Sequence, residues 1–486
     1  MSVFSEQLNK CVEESSFSKN ALISASRVNR STFFQYLSGK RLPTEEHFEA
    51  LIHALQLGPG DEARLRKLYQ IAQIGESVYE NRQRAQKCLE TLAGLSGDLT
   101  PQIHQFQGVT HLTTQRTPLQ GENQVFQELC HLVRAEMFLP EPRIDLFLPL
   151  ENNTFFEYLK LLYRNTEEKT VRLRQLVQFA QKKGEKTKNS LEFFDSILYF
   201  LASNCTGYEA HYYYTEADFA DTVGVLYPYS IITSSGVLLL NEAMDRALFS
   251  TTPAIIDACR AQFENALSKT KQFYTLYLGR EQVLDFALSH WIGGYSGYQY
   301  FASPCFSAYL TRKIVDKYAP EGEEKLFEEY YNSVQTGDCY ISFCTETGLL
   351  RFAQDGKMGE YPISLVPALE PVDRKEVLEI MLYQPPENAQ LYLIDEDKLP
   401  VSDEFVFSVT NEKQIFSYRK GLPKMRIFCF TEQNLIEVFT EFFDSLPESD
   451  FVRPKEELEQ VLLHAIDCCN AQIVEGADGV EDCLMV

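Results

Sequence analysis

The sequence predicts a multidomain chain: an all-α domain of five short helices, followed by a large α/β region that admits a doubled unit with mixed sheets. Three observations predict it. Over residues 3–75, apolar side chains recur at three- and four-residue spacing in five runs separated by cap and stop residues. From residue 143 onward, strand-length apolar runs alternate with helical ones. Between them, residues 96–122 are rich in Gly, Thr and Gln and show no periodicity. A chain of 486 residues has room for about three domains. With 44% hydrophobic and 23% charged residues it can build ordinary cores. The expected division is 1–75 for the helical domain, 76–122 for a helical stalk and linker, 123–275 and 276–470 for two α/β units, and 471–486 for a disordered acidic tail.

The five helices follow one another in a legible order. Phe4, Leu8, Cys11 and Val12 mark the first. Ser18 is placed to cap a second helix bearing Ala21, Leu22 and Ala25. A turn through Arg27 and Val28 leads to Asn29, a cap for the third. There Phe33, Tyr36 and Leu37 share one face; Ser31, Gln35 and Ser38 share the opposite one, flanked by Arg30 and Phe34. Gly39 ends this helix and Pro43 blocks its resumption. Thr44 caps the fourth helix, whose Glu45 and Glu46 suit its dipole and whose Phe48, Leu51, Ile52 and Leu55 form a core stripe. Gly58-Pro59-Gly60 stops it, and Asp61 opens the fifth, which carries Leu65, Leu68 and Tyr69.

Charge singles out the middle of this domain. Residues 18–44 hold Lys19, Arg27, Arg30, Lys40 and Arg41 and no Asp or Glu, in a chain of formal net charge −24. An acidic chain is repelled by phosphate except where such an island is built. Leu22, Val28, the Asn29-Arg30-Ser31-Thr32 run, Phe33, and Gly39-Lys40-Arg41 with Pro43 together resemble the Cro/CI-type helix-turn-helix domain of the XRE family of transcriptional regulators. The resemblance covers about residues 3–75. It departs from the family at Ile23, where a small residue is usual, and at Arg27, where Gly is usual. It implies that the third helix enters the major groove of double-stranded DNA. Base reading would then fall to Asn29, Arg30, Ser31, Phe34, Gln35 and Ser38. Phosphate contacts would fall to Lys19, Arg27, Thr32, Lys40 and Arg41. Neutralising five phosphates corresponds to a log–log salt slope of about −4.5. The alternative is a helical bundle whose basic residues are merely solvated.

Beyond the bundle, residues 76–93 read as a polar helix, a dimer stalk or a helix packed on the fifth. Strands are expected at 143–150, 171–179, 211–215, 229–234 and 237–241, with helices at 155–165, 191–203 and 253–267. A second series has helices at 281–292, 305–318 and 322–333 and a hairpin over 340–353. It continues with strands at 391–395, 405–410, 414–418 and 425–430, and helices at 434–446 and 454–467. Residues 251–266 and 431–446 match at Thr251/Thr431, Ile255/Leu435, Ile256/Ile436, Asp257/Glu437 and Phe263/Phe443, a hint of doubling that amphipathic helices also produce by chance. The order of elements in 143–267 loosely resembles a phospholipase-D-like half-domain, a fold also used as a non-catalytic sensor. Its chemistry needs a His-x-Lys pair in each half. Tyr227-Pro228-Tyr229 stands at the corresponding strand, and none of the eight His begins such a pair.

Other chemistry is not signalled. Twelve scattered cysteines form no C-x-x-C pair and read as free thiols in a reducing cytosol. No metal site, cofactor or catalytic residue is expected. Gly-rich 290–298 lacks phosphate-loop spacing. Tyr212-Tyr213-Tyr214 is a weak pocket signal, and Arg172 and Arg174 read as a solvated edge. MSVFSEQLNK does not resemble a signal peptide, and no run of 18 apolar residues suggests a membrane span. The C-terminal Cys483-Leu484-Met485-Val486 fits a prenylation box only formally, because acidic residues precede it. The expectation is a cytoplasmic, non-enzymatic regulator, a homodimer on DNA, with a small-molecule or peptide effector and no membrane partner. A DNA-localised nuclease or phosphodiesterase and a protein-interaction scaffold are the alternatives.

Overall fold

A computed structural model describes residues 2–95, 118–149, 153–164, 171–180, 185–202, 207–215, 226–279, 281–283, 286, 296–319, 322, 324–337, 339–359, 366–410, 414–419 and 426–483. The chain divides into two compact units, Met1–Arg84 and Ala85–Val486. The first is helical: α1 Val3–Glu14, α2 Lys19–Ser26, α3 Arg30–Leu37, α4 Glu45–Leu55, α5 Pro59–Ile74, and the first half of α6 Glu76–Gly94. Its core is one cluster of Phe4, Leu8, Leu22, Phe33, Tyr36, Phe48, Leu51, Leu65, Tyr69 and their neighbours. Phe48 stacks on Tyr69 at 3.8 Å, and the Tyr69 hydroxyl donates to the Pro43 carbonyl at 2.9 Å. That bond fixes the segment between α3 and α4 to α5.

The second unit opens with the rest of α6. Ala85, Cys88, Leu89 and Leu92 are buried in its core, and Thr91 donates to Asp195 at 2.9 Å. This half of the expected stalk therefore belongs to the α/β core. Two mixed sheets follow. The first series is β1 Leu119–Gln120, α7 Glu122–Met137, β2 Arg143–Phe147, α8 Asn153–Arg164, β3 Arg172–Ala180, α9 Glu185–Ala202, β4 Tyr208–Thr215, β5 Tyr229–Ile232, β6 Val237–Leu240, β7 Arg246–Ser250, α10 Pro253–Leu267 and β8 Lys271–Gln272. The second begins with β9 Tyr274–Leu278 and β10 Gly297–Tyr300. It continues through a 3₁₀ turn Phe306–Tyr309, α11 Arg312–Tyr318, α12 Glu324–Thr336, β11 Tyr340–Cys344, α13 Glu346–Asp355, α14 Pro371–Tyr383 and β12 Ala389–Leu393. β13 Phe405–Thr410, β14 Gln414–Arg419, β15 Arg426–Phe430, α15 Gln433–Ser445 and α16 Lys455–Cys483 complete it.

The sheet orders are β1-β7-β6-β5-β2-β3-β4-β8 and β12-β11-β10-β13-β14-β15-β9. Read from the opposite edge, the second order is β9-β15-β14-β13-β10-β11-β12. Directions match as well: three parallel strands (β2-β3-β4; β10-β11-β12), then antiparallel pairing through the rest. The two halves thus repeat one strand order, and α10 and α15, the helices with matched spacing, follow equivalent strands. β9 straddles residue 275 and pairs with β15, so the second series starts just before the expected division.

The halves stack in layers. α7, α8 and α9 cover one face of the first sheet, and α15 joins them from the second half. Phe194 of α9 meets Phe430 at 5.1 Å and Phe439 at 5.7 Å, both edge to face. α10 lies on the first sheet's other face, through Ile256 and Phe263. α11 to α14 and α16 cover the far side of the second sheet. This explains why Ile255 is 44% exposed whereas its spacing counterpart Leu435 is fully buried: α10 has a sheet on one side only, α15 has one sheet and α9.

Several expectations need correction. Residues 340–353 are a strand and a helix, not a hairpin. Thr345 caps α13 by accepting from the Gly348 amide at 3.0 Å, so the Thr-Glu-Thr-Gly quartet starts a helix instead of turning a strand. The expected helix 305–318 is a 3₁₀ turn and the short α11. β7, β9, β10, α7 and α14 were not anticipated. The segment read as an acidic tail from 471 continues α16 to Cys483. Arg174 is not a solvated edge. It is 1% exposed; Nε donates to Asp145 at 2.7 Å and Nη1 to Glu264 at 3.0 Å, beneath α10. Arg172, two residues earlier on the same face, is exposed beyond α10. Tyr212 and Tyr214 are packing residues: Tyr212 stacks on Phe179 at 5.2 Å, and Tyr214 donates to Glu432. The 96–117 stretch lies outside the described residues, as does most of 281–295. Among the described residues no helix is long and apolar enough to cross a membrane.

Candidate nucleic-acid interface

The local sequence builds this site from two caps and two stops. Ser18 accepts from the Ala21 amide at 3.2 Å and starts α2. Arg27 ends it in the left-handed region at φ 56°, its amide donating to the Ser24 carbonyl. Asn29 starts α3 by accepting from the Thr32 amide at 2.8 Å, and its Oδ1 also accepts from the Ser31 hydroxyl at 2.9 Å. Gly39, at φ 70°, closes α3: the Lys40 amide returns to the Gln35 carbonyl at 3.0 Å and the Gly39 amide to Tyr36 at 3.1 Å. A Cβ at Gly39 would stand 2.8 Å from the Ser5 hydroxyl of α1. Asn9 of α1 donates to the Leu37 carbonyl. The end of α3 is therefore clamped by α1, through Ser5 and Asn9.

Side-chain exposure sorts cleanly by face. Phe33, Tyr36 and Leu37 are buried at 1%, 0% and 5% exposure. Asn29, Arg30, Ser31, Phe34, Gln35 and Ser38 are exposed. So are Lys19, Arg27, Lys40 and Arg41, while Thr32 is half-buried. In α2 the burial differs from expectation: Leu22 and Ser26 face the core, whereas Ala21 and Ala25 are exposed. The structure brings the expected base-reading residues onto one surface of α3. Arg27 and Arg30 stand at its start, and Lys40 and Arg41 follow its end.

The cations of this surface differ from several others of the first unit. Lys10 pairs with Glu14 at 3.9 Å, Arg66 with Glu62 at 2.9 Å and with Glu49, and Arg84 with Glu80 at 3.2 Å. Among the described residues none of Lys19, Arg27, Arg30, Lys40 and Arg41 pairs with a carboxylate. The Arg30 guanidinium instead lies 5.9 Å from the centre of the Phe34 ring, and Phe34 meets buried Phe33 edge to face at 5.8 Å. Donors, the side-chain amides of Asn29 and Gln35 and an apolar ring are thus presented together, with uncompensated positive charge on either side.

Sequence reasoning did not find the support behind the face. Asn9 and Ser5 belong to α1, and Tyr36, read only as core, has its hydroxyl 2.7 Å from Nδ1 of His47. Nothing in local periodicity marks a side chain as the partner of a distant carbonyl. Elsewhere, no group of three or more His, Cys, Asp and Glu side chains converges among the described residues. Among the described residues the cysteines form no disulfide, and most are buried. Compared with known proteins, the chain matches no protein-family model and no curated sequence.

Proposed function

We propose that this chain is a sequence-specific DNA-binding transcriptional regulator whose first unit is a Cro/CI-type helix-turn-helix domain of the XRE class. The observation that carries the reading is the exposed, carboxylate-free face of α3 with unpaired cations at both of its ends. In this reading α3 lies in the major groove. Arg30 donates to guanine or Gln35 bonds adenine, each worth about 1–3 kcal/mol of discrimination. Lys19, Arg27, Thr32, Lys40 and Arg41 hold phosphates. The protein acts in the cytoplasm as a homodimer on half-sites about 34 Å apart.

The α/β unit serves as the dimerising or effector-sensing region, built from two phospholipase-D-like half-domains without their chemistry. The repeated strand order supports this reading. So does composition at the strands concerned. Tyr227-Pro228-Tyr229 leads into β5, and Ser402-Asp403-Glu404 leads into its counterpart β13, with neither His nor Lys in either run. Effector binding would change operator affinity by altering the relation of two reading heads.

The test is selection of duplexes from a random-sequence library by the full chain, followed by titration of the recovered sequence. The reading requires a defined motif, and Arg30→Ala with Gln35→Ala should weaken its binding at least tenfold, about 1.4 kcal/mol or more. Recovery of no motif would refute it.

A further inference from the structure

We infer that Arg30 and Phe34 act as one reading unit that selects a guanine with a thymine next to it. This rests on the DNA-binding reading above and names its sequence chemistry. Phe34 is 42% exposed although every other aromatic of α3 is buried. A large apolar ring left in water has an unfavourable hydration that burial against another apolar group would relieve. It is not a loose side chain. Buried Phe33 meets it edge to face at 5.8 Å, and the Arg30 guanidinium lies 5.9 Å from its centre, one helical turn back on the same side.

The pairing has two consequences. The ring restrains a guanidinium that has no carboxylate partner among the described residues, so its planar fork of donors is held ready for the two acceptors, O6 and N7, on a guanine edge. The ring itself offers only apolar surface. In the major groove the one apolar group on a base edge is the thymine C5 methyl. Because ring and guanidinium are in contact, the methyl and the guanine they meet must be neighbours in the DNA. Asn29, Ser31, Gln35 and Ser38 on the same surface are polar, which leaves Phe34 as the apolar contact of α3.

The experiment uses the full chain and the duplex it selects from a random library. Each thymine is replaced in turn by deoxyuridine, which lacks the methyl, and each guanine by 7-deazaguanine, which lacks N7. Affinity is measured for the unaltered protein, Phe34→Ala, Phe34→Leu and Arg30→Ala. One deoxyuridine position should weaken binding about fourfold, the effect of one buried methyl-sized group, and Phe34→Ala should abolish that difference while Phe34→Leu keeps part of it. A 7-deazaguanine at the adjacent position should weaken binding at least fivefold, and Arg30→Ala should abolish that difference. If a duplex is selected but no thymine methyl matters, or if Phe34→Ala keeps the full methyl effect, this inference is overturned and DNA recognition stands. If no duplex is selected, DNA recognition and this inference fall together.

Discussion

At the scale of residues, two positions carry a local cost. Arg27 sits at φ 56°, where a side chain with a Cβ costs about 1–2 kcal/mol. Arg27→Gly should therefore raise the unfolding free energy measured in urea by about 1 kcal/mol, while weakening duplex binding through the lost cation. A fall in stability would show that Arg27 makes a compensating contact. His211 is the second position. It is 8% exposed, and burial holds its imidazole below the usual 6.5, with Glu209 opposing and Arg174 adding to that effect. The unfolded chain takes up a proton near pH 6.5 that the folded chain resists. The stability contributed by neutral His211 is complete above that pH and declines as pH falls below it. His211→Gln should flatten stability against pH just below about 6.5; an unchanged slope would assign the acid sensitivity elsewhere.

At the scale of elements, the caps decide more than propensity does. Asn29 holds both the Thr32 amide and the Ser31 hydroxyl, so Asn29→Ala should cost about 1 kcal/mol of stability in denaturant titration. Gly348 admits no Cβ, which would stand 1.8 Å from the Ala302 carbonyl oxygen. Gly348→Ala should accordingly depress the unfolding midpoint severely, with no relief from rotamer choice. These elements also show what the sequence could say. α1 to α4 were legible because each begins with a side-chain cap and carries a 3.6-residue stripe, and α3 and α5 also end at a glycine, Gly39 and Gly75. α13 was misread because Thr345-Glu346-Thr347-Gly348 suits a turn as well as a cap, and only the carbonyl of Ala302 beneath Gly348 selects the helix. β10 is four residues long, too short for alternation to show, yet it is central to its sheet through β11 and β13. The exposed face of α3 was legible from its phase, whereas the Asn9 and Ser5 clamp behind it depends on tertiary approach that spacing does not encode.

At the scale of the whole molecule, the chain joins a small helical unit carrying one basic island to an acidic bulk. Residues 94–486 carry 33 basic against 58 acidic side chains. A surface of that charge is repelled by phosphate, so under the proposed function any affinity for DNA has to come from the basic island. The repeated strand order was only hinted at by the paired helices, because the two halves cover their equivalent faces differently and so dress them with different residues. Under α10 the first half buries the Arg174–Asp145 pair, and the more exposed Glu264, Arg143 and Arg260 extend it outward. Arg174→Met leaves Asp145 short of its closest partner and should cost about 3 kcal/mol in the unfolding of the α/β unit. A cost near zero would mean that Arg143 and Arg260 suffice. The central claim is tested most directly by the salt dependence of the full chain's binding to its selected duplex. The account predicts tight binding at low salt and a log–log slope of about −4.5 per reading head, shallower by about 0.9 for each of Lys19→Gln and Lys40→Gln. A flat slope, or one that those substitutions leave unchanged, would contradict it.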